Sequence, residues 1–215
     1  MYAVNKSQQS KEIEDTHAEE RVTVSLVVND KGETTIVHKR VDDPIRWFAM
    51  RATYRHELKM RDMLQQHGIE TFVPMKYTFT TKGKKVVRTL TPVISGLIFV
   101  YTDQSTLQPL KAKNPYLQYI VDKNREKIIV PEQQMRQFIN ICNTYNENIK
   151  YLEPTEINLS KGTKVRITGG EFEGYEGIFI KIKGARDRRV VVEIQGLIAV
   201  AMATIPPELI EPVKK

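Results

Sequence analysis

The 215-residue chain holds one cysteine, Cys142. That excludes an intramolecular disulfide and any cysteine-based zinc cluster. Its histidines are His17, His38, His56 and His67, and none has a second ligand at a metal-binding spacing. No apolar run approaches the roughly 18 residues of a membrane span, and no charged-then-apolar leader opens the sequence. There is no Walker loop, no Gly-x-Gly-x-x-Gly nucleotide fingerprint, no His-Glu-x-x-His pair and no Gly-x-Ser-x-Gly elbow. The glycines between 169 and 177 lack the lysine-hydroxyl pair and the following helix of a phosphate loop. The expectation is a non-enzymatic chain without metal or cofactor, off the membrane, with the cytoplasm as its default compartment.

Positive charge is present in excess, and it is localised. The formal net charge is +7, and residues 51–88 alone hold nine basic against three acidic residues. This favours a polyanion beside that segment, with a solvated basic face as the plain alternative. Lys82, Lys84 and Lys85 cluster at an expected hairpin tip, which suits a phosphate backbone but carries no code for reading bases.

Periodicity divides the chain. Residues 1–46 form an amino-terminal extension, polar at first and then alternating as a hairpin over 21–40. Residues 47–145 alternate strands with helices. A strand at 47–52 leads to a helix over 54–67, with Met60, Met63, Leu64 and His67 on one face and Gly68 as its cap. His67 reads there as a packed core histidine. Two strands flank the turn at 80–84, and Gly96–Tyr101 is apolar enough for a central strand buried on both faces. Pro131 opens a helix whose stripe is Met135, Phe138, Ile139 and Cys142, so Cys142 reads as a core thiol. Residues 146–160 read as a linker. Residues 161–215 carry short alternating strands, the pattern of a small barrel of about five strands. The expected class is α+β, an antiparallel-rich sheet with flanking helices followed by a small SH3-like β-barrel.

The stretch KGTKVRITGGEFEGYEGIFIKI, residues 161–182, joins two alternating runs through a glycine-rich connection. It resembles a KOW motif, with Val165 in the first strand and Gly170, Gly174 and Gly177 at the motif's spacing. The α/β segment opening WFAMRATYRHELK, the strand SGLIFVYT and the KOW stretch together resemble the NusG family over about residues 47–213. The runs GIETFVPM and VPEQQMRQFI bring the chain closer still to the UpxY group of specialised NusG paralogues of Bacteroides-type bacteria.

That resemblance implies a monomeric transcription antiterminator acting on operons for capsular or other surface polysaccharides. It would dock on the clamp helices of RNA polymerase through an apolar cavity including Leu97, Phe99, Ile120 and Ile129. It would touch non-template DNA or nascent RNA through Arg51, Tyr54, Arg55, His56, Lys82, Lys84 and Lys85. Tyr54 would serve as a stacking residue there or, equally, as a packed helix-start residue. Gln195-Gly196-Leu197 stands where the family's barrel has Phe-Gly-Arg. Coupling to Rho is therefore not implied, and coupling to the ribosome stays open. The alternative is a ribosome-associated KOW protein that binds structured RNA.

Overall fold

In a computed structural model, residues 22–28, 34–40, 43–145, 149–152, 161–181, 188–194, 197–201 and 205–213 are described. The chain divides into two units, residues 1–43 and 44–215. In the first, β1 (Val22–Val28) pairs antiparallel with β2 (Thr34–Arg40), in register from Val22 opposite Arg40 to Val28 opposite Thr34.

The second unit is built on β3 (Arg46–Ala52). Trp47, Phe48, Ala49 and Met50 are all buried, so both faces of this strand are covered. After it come α1 (Glu57–Gln66), β4 (Glu70–Phe72), β5 (Met75–Lys82), β6 (Lys85–Pro92) and β7 (Leu97–Thr102). Then follow α2 (Gln104–Lys113), β8 (Leu117–Tyr119), β9 (Ile129–Val130) and α3 (Glu132–Asn143). The sheet order is β4-β7-β3-β8, with β9 also on β3, and every pairing is antiparallel. Strand periodicity sends Trp47, Ala49, Leu97 and Phe99 to one face and Phe48, Met50, Ile98 and Val100 to the other. On the first face α3 supplies Met135, Phe138, Ile141 and Cys142. On the second, α1 supplies Met60 and Leu64, and α2 supplies Leu107. Coverage on both sides explains the continuous apolar runs of β3 and β7 in an antiparallel sheet, where one solvated face is commoner.

Two helix expectations change and one holds. Helix α1 begins at Glu57, and residues 53–55 are a short 3-10 turn. His67 is exposed, its Nδ1 lying 2.8 Å from the Met63 carbonyl oxygen, because the helix ends at Gln66 and the ring folds back over the last turn. Cys142 is buried as read, and burial pushes its thiol up to about 12, which leaves almost no thiolate at neutral pH.

The carboxyl-terminal strands are β10 (Lys150–Leu152), β11 (Thr163–Ile167), β12 (Glu176–Lys181), β13 (Arg188–Ile194), β14 (Ile198–Ala201) and β15 (Ile210–Pro212). They form one antiparallel sheet in the order β10-β14-β13-β12-β11-β15. Strand β10 comes from residues expected to be linker; Tyr151 and Leu152 are partly buried there. Glu176 accepts hydrogen bonds from Lys164 and Arg166, which hold its carboxyl below the usual carboxylate range. Val165, Ile167, Val190, Val192 and Ile194 join the same buried cluster as Phe99 and Phe138. Across that junction Gln134 Nε2 donates to the Glu193 carbonyl, and Asn140 Nδ2 donates to the Tyr175 hydroxyl at 3.0 Å.

Candidate nucleic-acid interface

The end of β3 is pinned from both sides. Ala52 N–H donates to the Gly96 carbonyl at 2.7 Å, and Thr53 N–H donates to the Tyr116 carbonyl at 2.9 Å. Gly96 has φ +78°, and a Cβ there would lie 2.8 Å from the Ala52 carbonyl oxygen. Only glycine allows this approach without displacement.

Past Thr53 the backbone turns through two left-handed residues, Tyr54 at φ 55° and Arg55 at φ 59°. Side chains rarely adopt this conformation, which costs about 1–2 kcal/mol per residue. The turn leaves the Tyr54 ring 84% exposed, edge-on to Tyr116 at 6.1 Å between centroids. Arg51, Tyr54, Arg55, Ser95 and Gly96 line a concavity of about 330 Å³. Two arginines and the exposed Tyr54 are among its lining residues, and no Asp or Glu lines it among the described residues. Such a surface can hold a phosphate by charge-assisted hydrogen bonds and a base by stacking.

Other expected site residues fall elsewhere. His56 does not line this cleft; its ring packs at 4.6 Å against Tyr116. Lys84 and Lys85 are exposed at the β5–β6 turn, while the Lys82 side chain lies outside the described residues. Leu97 and Phe99 are 3% and 0% exposed, and Ile120 packs against the same cluster. Ile129 packs on the opposite face of the sheet. The four residues expected to share one apolar cavity therefore do not line a common surface. Neighbouring β-strand residues alternate faces, so Ile129 parts from Ile128 and Val130.

In the carboxyl-terminal sheet Val165 is 2% exposed and pairs with Gly177. A Cβ on Gly177 would meet the Val191 carbonyl oxygen at 2.7 Å, so glycine is needed where β12 runs close beside β13. Gly170 and Gly174 lie in the connecting turn at positive φ, where Gly174 N–H donates to the Ile167 carbonyl at 2.7 Å. Among the described residues no group of three or more His, Cys, Asp or Glu could hold a metal ion, and no helix is long and apolar enough to cross a membrane.

Sequence reasoning did not find Tyr116 or the Ser95–Gly96 wall. Tyr116 follows Asn114-Pro115 in a turn with no periodic signal, and only the sheet pairing of β3 with β7 and β8 brings these residues together.

Replacing Tyr54 by glycine separates strain from function. Relief of the left-handed backbone outweighs the extra chain entropy of glycine by about 0.5–1 kcal/mol. The exposed ring gives up little packing. Denaturant unfolding is expected to show a small gain in stability while affinity for nucleic acid falls. A clear loss of stability would instead make the Tyr54–Tyr116 contact structural.

No curated protein matches the sequence. The solved structure of NusG from Thermotoga maritima, described for its domain interaction, aligns with a TM-score of 0.41 at 18% identity, covering 80% of this chain and 98% of that one. Residues 45–139, just under half of the chain, match the model of the family described as transcription termination factor NusG.

Proposed function

We propose that this protein is a NusG-like factor that binds RNA polymerase during transcription elongation and suppresses pausing and termination. The observation that carries the reading is one of position. The segment matching the NusG model contains the arginine-lined Tyr54 cleft, which suits an exposed strand of non-template DNA or nascent RNA. The mechanism needs no catalysis. A factor that binds the elongating state more tightly than the paused one shifts the balance by its difference in affinity.

Within this reading the chain is a monomeric, cytoplasmic, UpxY-type paralogue serving surface-polysaccharide operons, and residues 161–215 form its KOW domain, whose sheet β10 joins from the segment expected to be linker. Contact with the polymerase clamp through Leu97 and Phe99 requires α3 to part from that face, since both side chains are buried in one cluster with its apolar stripe and Phe138 packs edge-on against Phe99. Gln195 and Gly196, the departure that bears on Rho, lie outside the described residues.

The test is capture of the full chain by cognate RNA polymerase assembled on a DNA–RNA scaffold, followed by transcription through a pause and a terminator. Retention on the complex, shorter pauses and more read-through are the expected results, with the transcriptional effect reduced by Arg51→Ala and Arg55→Ala. Retention on ribosomes but not on polymerase would replace this reading with an RNA-binding ribosomal role. Increased termination would reverse its sign.

A further inference from the structure

Among the described residues, strands β5 and β6 pair only with each other, from Met75 opposite Pro92 to Lys82 opposite Lys85. Alternation places Tyr77 and Phe79 on one face of this ribbon, across from Leu90 and Arg88, with Val86 nearer the tip. A two-stranded ribbon is marginal in water, and apolar residues on one normally seek cover. Here Phe79 stays 58% exposed and Val86 67% exposed. A contiguous apolar strip of this kind marks a binding surface.

The chemistry of the strip selects its occupant. Residues 75–92 contain Lys76, Lys82, Lys84, Lys85 and Arg88 and not one Asp or Glu. The Arg88 guanidinium lies 3.6 Å from the centroid of the Tyr77 ring, which fixes that ring beside Phe79. At the foot of the ribbon Tyr77 meets Tyr145 at 5.8 Å between centroids. These two rings, with Phe79, Lys76 and Tyr151, help to line a concavity of about 330 Å³, within the range of small-ligand clefts. Flat rings in a row, lysines at the tip and a ribbon sequence without Asp or Glu suit unpaired bases on a phosphate backbone. A duplex keeps its bases stacked inside and offers Phe79 nothing to stack on.

We infer that the β5–β6 ribbon binds single-stranded nucleic acid, with a base stacked on Phe79 and the backbone held by the tip lysines Lys84 and Lys85. This deepens the nucleic-acid part of the reading above and assigns a surface separate from the Tyr54 cleft. Sequence preference is weak, because stacking accepts any base.

Fluorescence anisotropy of the full-length protein tests it, using labelled oligo(dT), oligo(U) and a duplex of equal length at two salt concentrations. Both single strands are expected to bind better than the duplex; whichever binds more tightly identifies DNA or RNA as the preferred strand. Phe79→Ala should weaken single-strand binding about tenfold without lowering Tm. Val87→Ala, on the opposite face, should change nothing. The double variant Lys84→Ala, Lys85→Ala should flatten the salt dependence. Phe79→Trp should retain binding, and its added emission should be quenched by the oligonucleotide. Preference for the duplex, unchanged affinity in Phe79→Ala, or no quenching in Phe79→Trp would each overturn the inference, as would no binding at all. If Phe79→Ala loses polymerase capture but keeps oligonucleotide binding, the strip belongs to a protein partner. The oligonucleotide measurements contain no polymerase, so they stand or fall apart from the elongation-factor reading.

Discussion

Phe138→Ala is expected to lower the free energy of unfolding by about 3–5 kcal/mol. Phe138 is 0% exposed and meets Phe99 at 5.9 Å and Phe72 at 6.0 Å between ring centroids, both edge-on. It lies in the cluster that joins the first sheet, α3 and the carboxyl-terminal sheet, so its removal opens a cavity that several elements would have to shift to fill. A typical domain has only about 5–15 kcal/mol of stability, so the loss is a large part of the whole. Denaturant titration of the full chain is the measurement. A loss below about 1 kcal/mol would mean that α3 is not packed as described. For the same reason, substituting Phe99 by aspartate would be no test of polymerase contact. It would place a charge among apolar side chains and unfold the protein before any partner could be tested.

Gly96→Ala is expected to cost about 2–4 kcal/mol and to weaken the Tyr54 cleft at the same time. Two terms add. The left-handed backbone at φ +78° disfavours any side chain, and the new methyl would meet the Ala52 carbonyl oxygen at 2.8 Å. That oxygen is backbone, and Ala52 is itself tied to Gly96 by a 2.7 Å hydrogen bond, so the clash is relieved only by moving the end of β3. Arg51, Tyr54 and Arg55 would move with it. Gly83→Ala is the control. It has φ +62° but open space around it, so only the conformational term of about 1 kcal/mol remains. Parallel denaturant titrations and oligonucleotide affinities of the two variants would separate the terms. Equal losses would remove the steric part of the argument.

The helices and strands were legible wherever one residue pattern decided burial. The stripe of Met135, Phe138 and Cys142 became the buried face of α3, and the apolar run at Leu97–Val100 became a strand covered on both sides. The alternation over 22–28 and 34–40 gave the paired β1 and β2. Strand β10 was not legible, because a three-residue strand carries too few positions to show a period and gains its place from pairing with β14. His67 was misread for a related reason: a ring at i+7 lies on the apolar face only if the helix continues to it, and this helix stops at Gln66.

The candidate site divides in the same way. Sequence alone determined that the positive charge concentrates in 51–88 and that Tyr54 stands between arginines, since charge and order along the chain need no folding to be read. Tertiary structure decided which of those charges share a cleft, that Tyr54 is presented by a left-handed turn, and that Phe79 lies bare beside Arg88 and Tyr77. It also decided that Leu97 and Phe99 are buried in the cluster that α3 and the carboxyl-terminal sheet share. The physical reason is that exposure is set by what packs against a residue from distant parts of the chain. Local pattern fixes which face a side chain takes, but only strand pairing and layer packing determine whether that face meets water, a neighbour or a partner.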